Sequence, residues 1–379
     1  MRIDGRWNTH RWRINRRFAL DIGDGSMKRT KVFLSGIVNC TNAQNLNCLA
    51  LAKHLNKSKF EVRTLTVYSG DLPVEKIEGV KYLPIRYPAK IRHRLQLIRG
   101  ILWADVSYLC KPEYWKLQRW LLCVFRKKAF KTIEGAFIGT NLEKALALNA
   151  TIESVRQSLE FTGNTYSITA AMRPVNEKAI GLRTSEKVLY LGVDTECFAN
   201  VVKRDRLTDV AIVGSNLFYK GLVDFFELAK RFPNLKFHVI GSGMGKVSPS
   251  DEVKKLGLSN VVCHGNLSHA ELAETLKQIQ LHVFPSRAEG FPKVTLETAA
   301  AGVPSVVYDD YGADEWITTG KDGFVVKTLD EMAAVIHDLL DHPEKLQSLS
   351  DNAKVMAKRF DWKVLVKEWE DEIVKIVRQ

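Results

Sequence analysis

The sequence predicts an α/β protein made of two doubly wound, Rossmann-like units that face each other across a central cleft. Three observations lead there. The chain has 379 residues, more than one ordinary hydrophobic core accommodates. Short apolar strands alternate with helices in two successive series, the pattern of a parallel sheet covered on both faces. A polar stretch, residues 195–208, separates the two series.

The first series opens with an apolar strand at 32–36 and a helix with a basic end at 46–55. Residues 61–68 alternate apolar and polar, and 81–85 form a further strand. Leu95, Leu97, Ile98, Ile101 and Leu102 recur at helical spacing, followed by a strand at 106–109. Residues 114–125 read as an apolar helix with a polar stripe, and strands recur near Phe130, Tyr166 and Val188. The second series places strands at 210–214, 236–241, 261–264, 281–285, 305–308 and 324–326, and amphipathic helices from 329 onward. The expected organisation is an extension (1–27), a first Rossmann-like domain (28–200), a second domain (201–360) and a C-terminal helix (361–379) that crosses back to the first domain. In residues 1–27, six arginines are interspersed with Trp7, Trp12 and Phe18. They read as a disordered extension outside the folded units, with a membrane-touching arm as the alternative.

Composition narrows the class. Apolar residues at 45% and charged residues at 26% fit a water-soluble globular protein. The six cysteines include no C-x-x-C pair, which argues against a zinc site or a disulfide framework and fits a reducing cytoplasm. No apolar run is long enough to span a bilayer, and no signal-peptide core is seen. The net charge of +13 is uneven: residues 1–190 carry 33 Lys and Arg against 15 Asp and Glu. Such a surplus suggests a polyanion or an anionic membrane surface as a partner of the first half. Nucleic acid is not expected, because neither a recognition-helix motif nor an aromatic RNA-binding signature accompanies the charge. The expected location is therefore the cytoplasm, with peripheral contact at the inner face of the membrane.

The segment HVFPSRAEGFPKVTLETAAAGVPSVV (282–307) carries the most chemistry. A strand ends at Pro285, a loop presents Glu289, Gly290, Phe291 and Pro292, and a helix starts near Lys293 with Glu297 in its first turn. Two carboxylates then lie at one strand's carboxyl end. A carboxylate only accepts hydrogen bonds, which suits a vicinal diol of a ribose or a sugar ring. Gly290 lets backbone approach a ligand closely, and a helix N-terminus favours a neighbouring phosphate. Taken singly, each residue has a plainer reading: a solvated lysine at 220, a loop carboxylate at 289, a helix-dipole carboxylate at 297, a tight turn at 241–243.

In combination these residues resemble the donor signature of the retaining glycosyltransferases of family 4, the group 1 transferases with the GT-B fold. LGVDTECF (191–198), VGSNLFYKG (213–221), VIGSG (239–243), HGNLSHAEL (264–272), GADEWITTGKDGFVV (312–326) and FDW (360–362) match further motifs in their order. The resemblance covers 190–365 well and 28–190 in outline. It implies that Glu297 holds the donor ribose and that Glu289 faces the transferred sugar or its leaving phosphate. Lys220 would neutralise the diphosphate, and the backbone of Gly290, Phe291 and Pro292 would fix sugar hydroxyls. Gly243 belongs to the hydrophobic-G-x-G turn of the donor side. The implied substrates are a nucleotide-sugar and a glycan or lipid-linked acceptor in cell-surface polysaccharide or glycan biosynthesis, with no cofactor and no metal. Two departures stand out. Ser215 replaces the family's diphosphate-binding arginine, with Lys293 a candidate substitute, and Glu134 stands where the family often has a histidine near the anomeric carbon. These departures also suggest a second reading, a catalytically weak relative that binds nucleotide or sugar.

Overall fold

The computed structural model describes residues 28–379 except 41, 69–73, 244 and 246; the expectation for 1–27 lies outside the described residues. In the first unit, β1 (Thr30–Ile37), β2 (Phe60–Val67), β3 (Val80–Ile85), β4 (Val106–Tyr108), β5 (Lys128–Ile133) and β6 (Thr165–Ser167) form one sheet in the order β3-β2-β1-β4-β5-β6. Its helices are α1 (Ala43–His54), α2 (Ala89–Trp103), α3 (Trp115–Val124), α4 (Gly139–Asn149), α5 (Ile152–Glu160) and α6 (Met172–Ile180). In the second unit, β7 (Asp209–Gly214), β8 (Lys236–Gly241), β9 (Val261–Gly265), β10 (Leu281–Phe284), β11 (Ser305–Tyr308) and β12 (Gly323–Val326) run β12-β11-β10-β7-β8-β9. Its helices are α7 (Leu222–Arg231), α8 (Pro249–Leu256), α9 (His269–Thr275), α10 (Lys293–Ala300), α11 (Leu329–Asp341) and α12 (Lys345–Arg359), and the chain ends in α13 (Trp362–Arg378). All the strand pairs are parallel.

Both sheets have the doubly wound order, so each has a switch point: β1/β4 in the first and β7/β10 in the second. Consecutive crossovers leave in opposite directions there, and a crevice opens beyond the strand ends. The strands pack as apolar runs rather than alternations because helices cover both faces. Val210, Ala211 and Ile212 of β7 and Leu281, Val283 and Phe284 of β10 are fully buried.

The units are tied together by their connections. Val193 N donates to Phe360 O at 3.0 Å, and Trp362 N donates back to Val193 O at 3.1 Å. Helix α13 lies on the first sheet: the Trp369 ring meets Tyr108 edge-on at 5.6 Å, and Asn56 N donates to Glu370 at 2.8 Å. Tyr166 donates to Glu372 at 2.9 Å, which satisfies a carboxylate that is otherwise costly to bury.

Two expectations need correction. Among the described residues no strand forms at Val188. The chain runs extended beside β6, with Ser185 N on Thr165 O and Leu189 N on Ser167 O, but it does not continue the ladder. Glu297 is the fifth residue of α10, in the second turn rather than the first. The periodic reading also passed over α4, α5 and α6. Helix α4 fully buries none of its residues; Leu142, Ala145 and Leu146 are only partly covered, against the small cluster of Ile133, Val155 and Leu159.

Candidate active site

The loops after β7 and β10 meet at the second switch point. Gly221 (φ 82°) lies so close that a Cβ there would fall 2.1 Å from Pro285 O, so only glycine permits the approach. The 3-10 turn Leu217–Lys220 then carries Lys220 to the end of β10. Lys220 Nζ donates to Glu289 Oε1 at 2.6 Å, and Ser286 Oγ donates to the same oxygen at 2.6 Å. The ammonium also lies 5.2 Å from the Phe284 ring centroid. An ammonium has three donors, and this pair uses one.

A second cluster forms where the loop after β10 touches the first unit. A Cβ on Gly290 would fall 2.2 Å from Glu134 O, so the loops after β10 and β5 are in backbone contact. Glu134 Oε1 accepts from Asn47 Nδ2 at 2.8 Å, and Lys293 Nζ donates to Asn47 Oδ1. Asn47 sits on α1, so one buried amide joins a carboxylate of the first unit to an ammonium of the second. Burial pushes the Glu134 carboxyl up, against the Asn47 bond and the Lys293 charge. Burial pulls the Lys293 ammonium down, while Glu134, Glu297 and Asp194 favour its charge. Glu297, 17% exposed, has His269 at 3.8 Å; burial pushes its carboxyl up, and His269 and Lys293 oppose this.

The other sequence-predicted residues take different places. The Phe291 side chain is turned into an aromatic cluster with Trp316 at 4.8 Å, Phe360 at 5.6 Å and Tyr190 at 5.9 Å. Pro292 precedes α10 and accepts from Thr295 N and Oγ1. These two residues hold the loop, leaving backbone to face a ligand. Ser215 is exposed, next to Asn216 in the left-handed region (φ 54°). The Gly243 turn joins that loop through Leu217 N on Ser242 O. It borders a cavity of about 280 Å³ lined by Gly241, Ser242, Val247, Ser250, Cys263 and Gly265. Lys220 and Glu289 thus form one group, and Glu134, Lys293 and Glu297 another.

Sequence reasoning missed Asn47, Ser286 and His269. Asn47 lies within a helix and carries no motif, so only the fold shows that it meets Glu134 and Lys293. Three asparagines around the loop between β1 and α1 are structural. Asn39 exchanges hydrogen bonds with Val67 at 2.8 and 2.9 Å, Asn42 caps α1, and Asn45 accepts from Ile37 N. Among the described residues no group of three His, Cys, Asp or Glu could hold a metal.

Two parallel, doubly wound sheets in one chain form the GT-B fold. Residues 194–356 match the family model of glycosyl transferases group 1, and over that region the chain is similar to the group 1 glycosyltransferases. It is 23% identical over 293 residues to an uncharacterized glycosyltransferase of Haemophilus influenzae, covering 70% of this chain and 82% of the relative. It is 27% identical over 187 residues to the N,N'-diacetylbacillosaminyl-diphospho-undecaprenol alpha-1,3-N-acetylgalactosaminyltransferase of Campylobacter jejuni, covering 48% of this chain and 49% of that one. In fold it is similar to HepE of Anabaena, solved in complex with UDP and glucose, with a TM-score of 0.73 at 15% identity over 91% of this chain and all of that one.

Proposed function

We propose that this chain transfers a hexose or related sugar from a nucleotide-sugar, with retention and without a metal, to a glycan or lipid-linked saccharide acceptor in cell-surface glycan biosynthesis. The observation that carries the reading is the Lys220–Glu289 pair at the β7/β10 switch point, a fixed cation and carboxylate where an open α/β sheet receives its ligand. As the glycosidic bond to the diphosphate breaks, negative charge grows on the leaving group. The unused donors of Lys220 stabilise that charge more than the ground state. Glu297 accepts from the donor's ribose hydroxyls, the cavity beside Gly243 takes the nucleoside half, and Glu134 faces the reacting sugar from the opposite unit. Lys293 holds the two units in register through Asn47 while remaining within reach as a second cation.

The acceptor reading draws on the Campylobacter relative, whose name specifies a lipid diphosphate acceptor. It also draws on the outer face of α2 and α3. There Tyr87 (93% exposed), Ile91 and Leu95 toward the start of α2, and Trp120, Val124 and Phe125 toward the end of α3, are all exposed. Residues 86–128 hold eleven basic and two acidic residues. Basic side chains near an anionic leaflet contribute about 1 kcal/mol each, and tryptophan suits the headgroup region. This supports a peripheral position at the inner face of a membrane. No described helix is long and apolar enough to cross one.

The test is a panel of UDP- and GDP-sugars titrated into the purified protein, with slow hydrolysis followed in parallel. Binding of at least one nucleotide-sugar, weakened by Lys220→Ala, is expected. Binding without turnover in the presence of acceptor lipid extracts favours the catalytically weak relative, which the exposed Ser215 in place of a cation supports. No binding refutes both readings.

A further inference from the structure

Asn47 is a neutral side chain set between two opposite charges that belong to different units. It is the fifth residue of α1 and fully buried. The helix is pinned to β1 at this point. Asn42 caps its N-terminus, Asn45 Oδ1 accepts from Ile37 N at 2.9 Å, and a Cβ on Gly36 would fall 2.6 Å from Cys48 Sγ. From this fixed position Asn47 Nδ2 donates to Glu134 Oε1 at 2.8 Å, and Oδ1 accepts from Lys293 Nζ. A carboxylate only accepts and an ammonium only donates, so the amide has one workable orientation and both its ends are used.

Glu134 Oε1 also receives Thr132 Oγ1 at 3.4 Å, and that hydroxyl shares a 2.5 Å hydrogen bond with the Tyr108 phenol. No hydrogen bond from a described residue reaches Oε2. The charged and titratable groups that face Glu134 are Lys293 from α10, Lys131 from β5, Tyr108 from β4, Cys110 just beyond β4 and Cys48 from α1. Lys131 donates instead to Ser158 O at 3.2 Å. Burial pushes the Glu134 carboxyl up, and the Asn47 hydrogen bond is the foremost effect opposing it, followed by the Lys293 charge.

We infer that Asn47 is a positioning residue for sugar transfer, holding Glu134 ionised and in one orientation while the second unit supplies Lys293. This rests on the reading above in which Glu134 faces the reacting sugar. As the bond to the diphosphate breaks, positive charge grows on the sugar ring, and a fixed carboxylate stabilises it more than the ground state. An amide suits this task because it transmits the polarity of Lys293 to one carboxylate oxygen and keeps the ammonium off the other. Lys293 lies on α10 and Asn47 on α1, so the hold exists only where the two units meet. The reactive form of Glu134 is thereby tied to that contact.

The test uses the full chain and the nucleotide-sugar that binds most tightly in the panel above, with its hydrolysis as the turnover. Asn47→Asp keeps the shape and the acceptor for Lys293, but it cannot donate to Glu134 and sets a second carboxylate beside it. Turnover at pH 7 should fall about tenfold or more, the loss of one hydrogen bond to a charged acceptor, with donor affinity within about threefold. The acid limb of the pH–rate profile, where Glu134 takes up its proton, should move to higher pH. Asn47→Asp combined with Glu134→Gln restores the hydrogen bond with donor and acceptor exchanged. That double variant should recover the melting temperature but not the turnover. An unchanged rate and acid limb in Asn47→Asp overturn the proposal. So does a double variant that recovers turnover, since the amide would then be structural. A double variant that does not recover the fold overturns it as well, because the hydrogen bond would not be what joins the two groups. Should Asn47→Asp fail to fold, the double variant decides alone. If the unaltered protein binds a nucleotide-sugar without hydrolysing it, the proposal fails and the donor site stands; if it binds none, the donor-site reading fails first.

Discussion

Glu297→Gln separates the role of the carboxylate in binding from its role in the fold. The side chain is enclosed by α10 and faces His269 and Lys293. Burial raises its carboxyl above the ordinary range, so the folded state favours the protonated form more than the unfolded state does. That contribution to stability is fully present below the unfolded pKa and is lost as pH rises through the folded one. At pH 7 the ionised side chain is therefore a net cost, and glutamine, nearly isosteric and neutral, should melt at the same or a higher temperature. The advantage should shrink as pH falls and the native residue takes up its proton. Binding should move the other way. A hydrogen bond to a charged acceptor contributes about 1.5–3 kcal/mol, and each 1.4 kcal/mol is about tenfold in affinity. Nucleotide-sugar affinity should thus fall by about one to two decades. Calorimetric titration alongside melting curves at pH 5 and 7 measures both. Unchanged affinity with an intact fold removes Glu297 from the donor site; a large drop in melting temperature at pH 7 refutes the electrostatic argument.

Lys220→Ala should lower turnover more than ground-state donor affinity, because the diphosphate gains charge in the transition state; a raised donor constant with unchanged kcat would show uniform binding instead. Ser215→Arg should leave donor binding equal or stronger, read by the same titration, since position 215 is exposed and has room for a longer side chain. Sedimentation with anionic vesicles at low salt should recover the protein, and raised salt should release it because screening shortens the reach of the α2–α3 charges to about 8 Å at physiological strength. Trp120→Ser should weaken that recovery, and equal recovery with neutral vesicles would sink the membrane reading. Lys131 is fully buried, with its ammonium brought down to about 8. The folded state then binds fewer protons than the unfolded between about pH 8 and 10.5, so stability should climb across that window; Lys131→Met should be more stable at pH 7 and lose the slope in a pH series of melting curves.

The fold class was legible because a parallel sheet covered on both faces forces a local signature. Continuous apolar runs such as 210–213 and 281–284 must be strands buried on both sides, and the amphipathic stretches between them must be helices. The loop after β10 was legible for a related reason: residues 289–297 lie within one strand–loop–helix unit, so their spacing alone puts them at one strand end. The sequence by itself therefore determined two Rossmann-like series, the linker between them and the residues of one loop. It did not determine which groups those residues meet. Only the tertiary structure brought Lys220 to Glu289 across 69 positions, and Asn47 to Lys293 across 246. It turned Phe291 into the core. The reason is physical: periodicity and turn chemistry act over a few residues, whereas these partners are chosen by how two sheets and their crossovers pack. A single chain's local preferences do not encode that.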